Sequence, residues 1–399
     1  MPNDSPFGAR LRHLRERRGL SREVFGGLIG RSADWVKAVE NGRLLMPRLP
    51  LLLHIAKVLH VRDLADLTGE MSIPAGQWDK ASHDQAPAVV EALLATTVGP
   101  VQQEPDLPAL TGRIDGGWHR WVSSRDQKTA VAEVLPALLD DARAAVRALD
   151  GIERRRALAQ LARVYSLAQC FLAYQPATEL VWLAADRAMV AAHDADDPLA
   201  IAAAAWYYGE IYREIGQPDR ALTTALDCAA LLDPADDSEQ RVRWGHLQMC
   251  AALSEAQLGN AGGAWRYWDL SDRAVATLGP TYSHPWLRFG RADVDGFALR
   301  MEVRLVRPGQ ALRRADALDL SAQPGPYKRA WRLLDAAEAH HMRKDKAGVV
   351  YMIRRAHHEA AGTVRFSLFA RQALMELSER RSAVRDDARQ LAAQIGLVS

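Results

Sequence analysis

Short runs of apolar residues at helical spacing, separated by glycine and serine, mark the first 70 residues of the chain. Phe7, Leu11 and Leu14 recur every three or four positions, as on one face of a helix, and a glycine ends that run. Three further runs follow, and a shorter one covers 62–67. We therefore predict five short helices within residues 1–70.

The second and third predicted helices lie unusually close together. Ser21 and Ser32 each precede an apolar run in the position of an N-cap, and only Ile29–Gly30–Arg31 separates the two helices. The predicted apolar face of the second helix consists of Val24, Phe25 and Leu28. Such a tight pair is the geometry of a helix-turn-helix, whose second helix enters the major groove of DNA.

Charge is distributed unevenly and supports the same interpretation. Residues 7–48 contain ten basic and four acidic side chains, an excess of six positive charges, although the whole chain carries only +2. A small basic domain on an acidic body suits contact with a phosphate backbone. A basic surface without a partner remains the alternative on charge alone.

The run RLRHLRERRGLSREVFGGLIGRSADWVKAVENGR resembles the phage-repressor and Cro-type helix-turn-helix, the XRE family, over residues 7–69. The resemblance implies a five-helix, lambda-repressor-like head that binds double-stranded DNA and a partly buried ion pair between Arg15 and Glu40. The expected DNA-binding face consists of Arg22, Ser32, Ala33, Asp34, Trp35, Lys37, Ala38, Asn41, Arg43 and Arg48.

Three positions of that face depart from what base readout needs. Ala33, Asp34 and Ala38 match the positions that usually meet base edges, yet alanine offers only apolar contact and aspartate repels phosphate. Two interpretations therefore stay open: a DNA-binding head with weak direct readout, or a protein-interaction scaffold with a degenerate head.

Residues 71–117 have a different, turn-rich pattern. Glycine and proline recur there, and Gly116–Gly117 is a typical turn signal. One apolar run, Gln85 to Ala95, predicts a short helix. We interpret 71–117 as a linker that contains one short helix.

Residues 118–399 show one helical pattern after another. In 202–234, Gly209, Ala221 and Ala225 occupy the small-residue positions of a tetratricopeptide repeat, and weaker units recur every 36 to 47 residues. The region resembles the divergent tetratricopeptide bodies that follow XRE heads in actinobacterial regulators. The fold class is therefore all-α, with the head followed by an α-solenoid of helix pairs that senses a ligand and dimerises.

A curved stack of helix pairs exposes a concave groove, where arginines can hold an anion or a carboxylate and aromatic rings can stack on a ligand. We expect a small molecule or peptide effector there. The alternative is that the arginines pair with local acids. The candidate groove residues are Arg163, Ser166, Trp206, Glu210, Arg213, His246, Met249, Arg300, Arg304 and Arg332.

Other functional classes lack support in the sequence. No HExxH, CxxC, GxSxG or GxxxxGK[ST] motif occurs, so we expect no catalytic residues, metal or cofactor. No apolar run reaches membrane length, and three scattered cysteines fit a reducing cytoplasm. We expect a homodimer that uses the body, since the head offers little spare apolar area and such heads read paired half-sites.

Overall fold

The computed structural model describes residues 7–61, 64–69, 80–96, 104–235, 237–323, 325–379 and 382–397. Within these ranges the chain folds into helices joined by short turns and contains no β-strand. The predicted all-α class is confirmed.

Five short helices form the head around one small core. Leu11, Phe25, Val36, Leu52 and Ile55 are fully buried at its centre. The fourth helix begins at Leu49, and Arg62, where the fifth predicted run begins, lies outside the described residues. The head helices are α1 (Phe7–Arg17), α2 (Arg22–Leu28), α3 (Ala33–Glu40), α4 (Leu49–Leu59) and α5 (Leu64–Thr68).

The buried face of α2 differs from the predicted one. Phe25 is buried as expected, but Val24 and Leu28 are 54% and 51% exposed. Gly26 and Ile29 are buried instead, because α2 is rotated so that its glycine lies directly against the backbone of Arg31. The head therefore exposes more apolar surface than the sequence suggested.

The predicted linker contains more structure than expected. The short helix is present as α6 (Ala86–Leu94), but α7 (Leu107–Ser123) begins within 71–117 and runs through Gly116–Gly117 without a turn. Gly117 allows this because its missing side chain leaves room for Leu138 and Leu167. The helical body thus begins before residue 118, and the turn predicted at the two glycines is wrong.

The body is a chain of antiparallel helices. Its remaining helices are α8 (Gln127–Ala132), α9 (Leu135–Ala148), α10 (Gly151–Leu172), α11 (Thr178–Asp194), α12 (Pro198–Glu214), α13 (Pro218–Ala229), α14 (Ser238–Leu258), α15 (Ala261–Ala276), α16 (Arg291–Arg304), α17 (Pro308–Ala317), α18 (Pro326–Met342), α19 (Lys346–Glu359), α20 (Ala361–Phe366), α21 (Leu368–Glu379) and α22 (Arg385–Gln394).

Six of these helices form an inner layer in which each packs on the next. The order is α7, α10, α12, α14, α16, α18, and α18 returns to α7. Helices α11, α13, α15, α17 and α19 cover this layer from outside. Inner helices such as α14 are buried almost all round, which explains why their apolar residues follow no single face.

The layer is closed by contacts of α7 and α8 with α18 and α20. Gln127 Nε2 donates to Thr363 Oγ1 at 3.0 Å, and the rings of Trp121 and Tyr327 lie 5.4 Å apart. Gly325, at φ +76°, leaves no room for a side chain against the Val122 carbonyl. The solenoid therefore closes into a ring, and its concave side is an interior rather than an open groove.

Candidate DNA-binding site

Two serines fix where α2 and α3 begin. Ser21 Oγ accepts from the Val24 amide at 3.2 Å, and Ser32 Oγ accepts from the Trp35 amide at 3.1 Å. Gly30, at φ +65°, makes the sharp turn between the two helices. These are the caps and the turn predicted from the sequence, and they set α3 across the end of α2 as in a helix-turn-helix.

The carboxylate of Glu40 ties this pair of helices to the rest of the head. Arg15 Nε donates to Glu40 Oε1 at 2.5 Å, and Arg22 Nε donates to Glu40 Oε2 at 2.7 Å. The Glu40 side chain is fully buried, so both bonds form away from water. The predicted Arg15–Glu40 pair is confirmed, and Arg22, predicted to contact DNA, is also held on this carboxylate.

The predicted DNA-binding residues on and after α3 differ in their exposure to solvent. Asp34, Lys37, Asn41 and Arg43 are exposed, which leaves two cations, one amide and one carboxylate facing solvent. Ala38 is only 3% exposed, so its methyl group is not available to a base in this arrangement. Ala33 and Trp35 are half-buried.

The start of α3 lies against the helical body. A Cβ at Gly30 would collide with the Gly216 carbonyl oxygen, and one at Gly259 would collide with the Ser32 side chain. Gly216 and Gly259 follow the ends of α12 and α14 and have φ of +81° and +84°. The body therefore covers the end of α3 that a helix-turn-helix presents to DNA.

Side chains extend this contact on both sides. Arg48 Nη1 lies 3.5 Å from Glu214 Oε2, and Leu44 packs on a small cluster that includes Leu299 and Met342. Arg48, predicted to contact DNA, thus pairs with a carboxylate of the body. Leu44 also belongs to the core of the head, so it joins the two apolar clusters.

The predicted groove residues do not form an open surface. Ser166, Trp206, His246, Met249 and Arg332 are at most 3% exposed, because the ring closes over them. Trp206 stacks on His246 with ring centroids 3.8 Å apart, and Ser166 Oγ donates to the Ala162 carbonyl. They belong to the packed interior, which corrects the expected concave groove.

The arginines of that set have local partners, the alternative left open by the sequence. Arg300 pairs with Asp335 at 3.0 Å and Arg304 with Glu338 at 2.8 Å. The remaining contacts are Arg163 with Asp115, Arg332 with Asp335, Arg213 with Cys250 Sγ, and Glu210 with Arg288. Of the ten candidates, only Glu210 reaches the cavity at the centre of the ring.

That cavity and the contact between head and body were missed by the sequence analysis. The cavity is lined by Trp118, Trp121, Trp286 and Trp331 together with buried lysines. Tryptophan has a large ring and a polar N–H, so four tryptophans in one region could have indicated a ligand cavity. The sequence does not show that they lie close together, because this depends on closure of the ring.

Comparison with known proteins supports the head alone. The family described as helix-turn-helix domain matches residues 6–68, which cover all five head helices. No curated protein and no solved structure matches the chain. The chain therefore carries an N-terminal helix-turn-helix domain, and this domain supports a DNA-binding regulator.

Among the described residues, no helix is both long and apolar enough to cross a membrane. No group of three or more histidine, cysteine, aspartate or glutamate side chains in the same ranges is placed to hold a metal ion.

Proposed function

We propose that this protein is a cytoplasmic transcription regulator whose head docks α3 in the major groove of double-stranded DNA. The observation that carries the proposal is the α2–α3 pair, capped by Ser21 and Ser32 and fixed by Glu40, with Lys37 and Arg43 exposed beside it. Cations at this place neutralise phosphates and orient the helix on the duplex. We expect no catalytic activity.

The test begins with mapping where the protein sits on the genome, and then measures binding to a recovered operator by fluorescence anisotropy. Lys37→Ala and Arg43→Ala should each weaken binding about 3- to 10-fold and lower the salt dependence by about one counterion. Lys57→Ala, which removes an exposed cation from α4, is the matched control and should change little. Either no genomic occupancy, or operator binding that is unchanged in both variants, would instead favour the scaffold.

We also propose that the protein acts as a homodimer, because one head covers a single half-site. The exposed apolar residues Val24, Leu28, Leu49 and Leu53 support a contribution from the head. They form two pairs at i,i+4 spacing on α2 and α4, which are linked by a 2.9 Å contact between His54 Nε2 and the Leu28 carbonyl.

Light scattering on the full chain tests the dimer. Replacing Val24 and Leu53 together by serine should shift the protein to a monomer at micromolar concentration if the head mediates dimerisation. Tyr351→Ser, at an equally exposed position on α19, is the control. A dimer that survives the head substitutions would place the interface on the body, as the sequence suggested.

The size of the body supports a sensing role in addition to dimerisation. We propose that the body binds a small molecule or short peptide and that this binding changes the affinity of the head for DNA. A ligand does this only if it binds one arrangement of the protein better than the other.

A further inference from the structure

The helical ring contains a narrow cavity of about 40 Å³ that opens to solvent. A space of this size leaves room for one small, flat molecule and none for a peptide. The lining comes from both ends of the body and from its middle, so a ligand there would touch α7, α12 and α18 at once.

Aromatic rings dominate the walls. Trp118 and Trp286 lie 5.4 Å apart, and Tyr174 and Trp331 lie 5.5 Å apart. Flat apolar molecules gain most from such walls, because they bury area and stack on the rings at the same time.

The charge of the cavity is positive. Lys328 pairs with Asp293 at 2.8 Å, and Arg288 pairs with Glu210, so these charges balance. Lys128 is 2% exposed and has no carboxylate partner among the described residues. Its ammonium instead donates to carbonyls at the end of α10, those of Cys170 at 3.3 Å, Phe171, and Ala173 at 2.9 Å. This surplus favours an anionic ligand and disfavours a cation, although aromatic walls alone would suit either.

Three polar atoms of the lining residues lack a hydrogen-bond partner within the described ranges. They are Trp118 Nε1, Trp331 Nε1 and Gln127 Oε1. Buried polar groups are nearly always satisfied, so unsatisfied ones at a cavity point to a missing partner. Two N–H donors suit a carboxylate, and the Gln127 oxygen suits a hydroxyl or amino group.

We propose that the cavity binds one small organic acid with a flat aromatic body. Its regulatory meaning rests on the function proposed above, since the acid would be the effector of the sensing body, but binding itself does not depend on DNA. The carboxylate would lie toward Lys128 and the indole N–H groups, with the rings of the walls on both faces of the ligand.

Tryptophan fluorescence and calorimetry on the full chain test this with 2-naphthoate, its neutral amide 2-naphthamide, and the cation benzyltrimethylammonium. The acid should bind at least 10-fold more tightly than the amide, with quenching, and the cation should not bind. Lys128→Met should weaken the acid at least 10-fold and the amide less than 3-fold. Lys57→Met on the head is the matched control.

Trp331→Phe keeps the ring but removes one N–H donor, so it decides the matter if Lys128→Met does not fold. It should weaken the acid several-fold more than the amide. Absence of binding by the acid, equal loss of acid and amide, or preference for the cation would overturn the proposal. None of these readouts uses DNA, so a failure of the DNA-binding function is seen separately in the operator assay.

A second inference rests on the contact between head and body. Arg31, in the turn before α3, is half-buried there, with Arg48 and Arg304 as its neighbours. Its guanidinium donates to the Gly30 carbonyl and lies 5.6 Å from the Trp35 ring, and no carboxylate of the described residues pairs with it. Burial, with the two other arginines, lowers the pKa of Arg31 to about 10.

A half-buried arginine that lies beside two other arginines and has no carboxylate partner among the described residues weakens this contact, and a phosphate group would satisfy it. We infer that the docked head is a closed state that cannot bind DNA, and that DNA binding requires the head to leave the body. The contact between head and body is observed, whereas its effect on DNA binding rests on the function proposed above.

Glu214→Arg tests it by placing a fourth cation beside Arg31, Arg48 and Arg304. Hydrogen exchange at 30–44 should speed up, and operator affinity should rise at least fivefold. Asp227→Arg, which makes the same charge change at an exposed position on α13, is the control. Unchanged exchange, or equal gains in affinity for both variants, would refute the closed state. Faster exchange without any DNA binding would refute the proposed function alone.

Discussion

The buried cluster of the head and the surroundings of Lys128 in the ring treat buried charge in opposite ways. In the head, the fully buried Glu40 accepts from both Arg15 and Arg22, so every charge in that cluster has a partner. In the ring, Lys128 is equally buried but has no carboxylate among the described residues, and nearby indole N–H groups are unsatisfied.

This difference separates two uses of polar groups. A satisfied cluster fixes the geometry of a surface, here the angle at which α3 meets DNA. An unsatisfied cluster beside a cavity lowers stability and has a reason to persist if a ligand satisfies it. On the functions proposed above, the head presents one rigid contact surface and the ring interior receives a ligand.

The largest expected effect breaks the satisfied side of the comparison. Glu40→Gln leaves the buried Arg15 and the half-buried Arg22 facing an uncharged amide. It should destabilise the head by up to about 3–5 kcal/mol, because Arg15 loses its buried counter-charge. Hydrogen exchange of the α1–α3 amides measures this. Glu23→Gln, the same change at an exposed position on α2, should leave exchange nearly unchanged. Similar exchange in the two variants would mean that Glu40 does not hold the head together.

The ring should show its own weakness in acid. Burial lowers the pKa of His284 to about 2 and that of His246 well below its usual value. Below pH 6.5 the two imidazoles become protonated in the unfolded chain but stay neutral in the folded chain. The free energy of unfolding is therefore highest above pH 6.5 and decreases as the pH falls. The loss should approach roughly 1.4 kcal/mol per pH unit for each histidine.

Thermal unfolding followed by near-ultraviolet circular dichroism, which reports on the tryptophans, checks the slope between pH 6.5 and 5. His246→Phe keeps a ring against Trp206 and should remove about half of it. His13→Gln, an exposed position on α1, is the control. If stability changes with pH equally steeply in His246→Phe, other groups cause the acid sensitivity.

The sequence predicted the features that are formed by residues close together along the chain. The caps and the turn at Gly30 follow from the local sequence pattern, and the Arg15–Glu40 pair follows from the resemblance to the XRE family; all lie within residues 15–40. Ring closure brings Gln127 to Thr363 across 236 positions, and no periodicity carries that information. The groove prediction failed for this reason, because the neighbours of each inner helix across the ring were unknown.

A smaller effect sharpens the unsatisfied side. Burial lowers the pKa of Lys128 to about 7, so its ammonium is half deprotonated near neutral pH. Affinity for 2-naphthoate should therefore fall as pH rises above 7, by up to about tenfold per unit. Titrations at pH 6, 7, 8 and 9 measure this, and 2-naphthamide should show no such trend. If the affinity for 2-naphthoate does not change with pH, Lys128 does not contact the ligand.

The smallest effect concerns the exposed face of α3, where Asp34 lies beside Lys37. An aspartate near phosphates repels them, so Asp34→Asn should tighten operator binding about 3- to 10-fold if the residue makes no base contact. Aspartate can instead accept from the amino group of cytosine, and an asparagine in its place would then lose that contact and shift preference toward adenine. Anisotropy with the mapped operator and with single-base variants distinguishes the two. Tighter binding to all sequences would show that the head docks through phosphates, whereas weaker binding restricted to one C·G position would show that Asp34 reads a base.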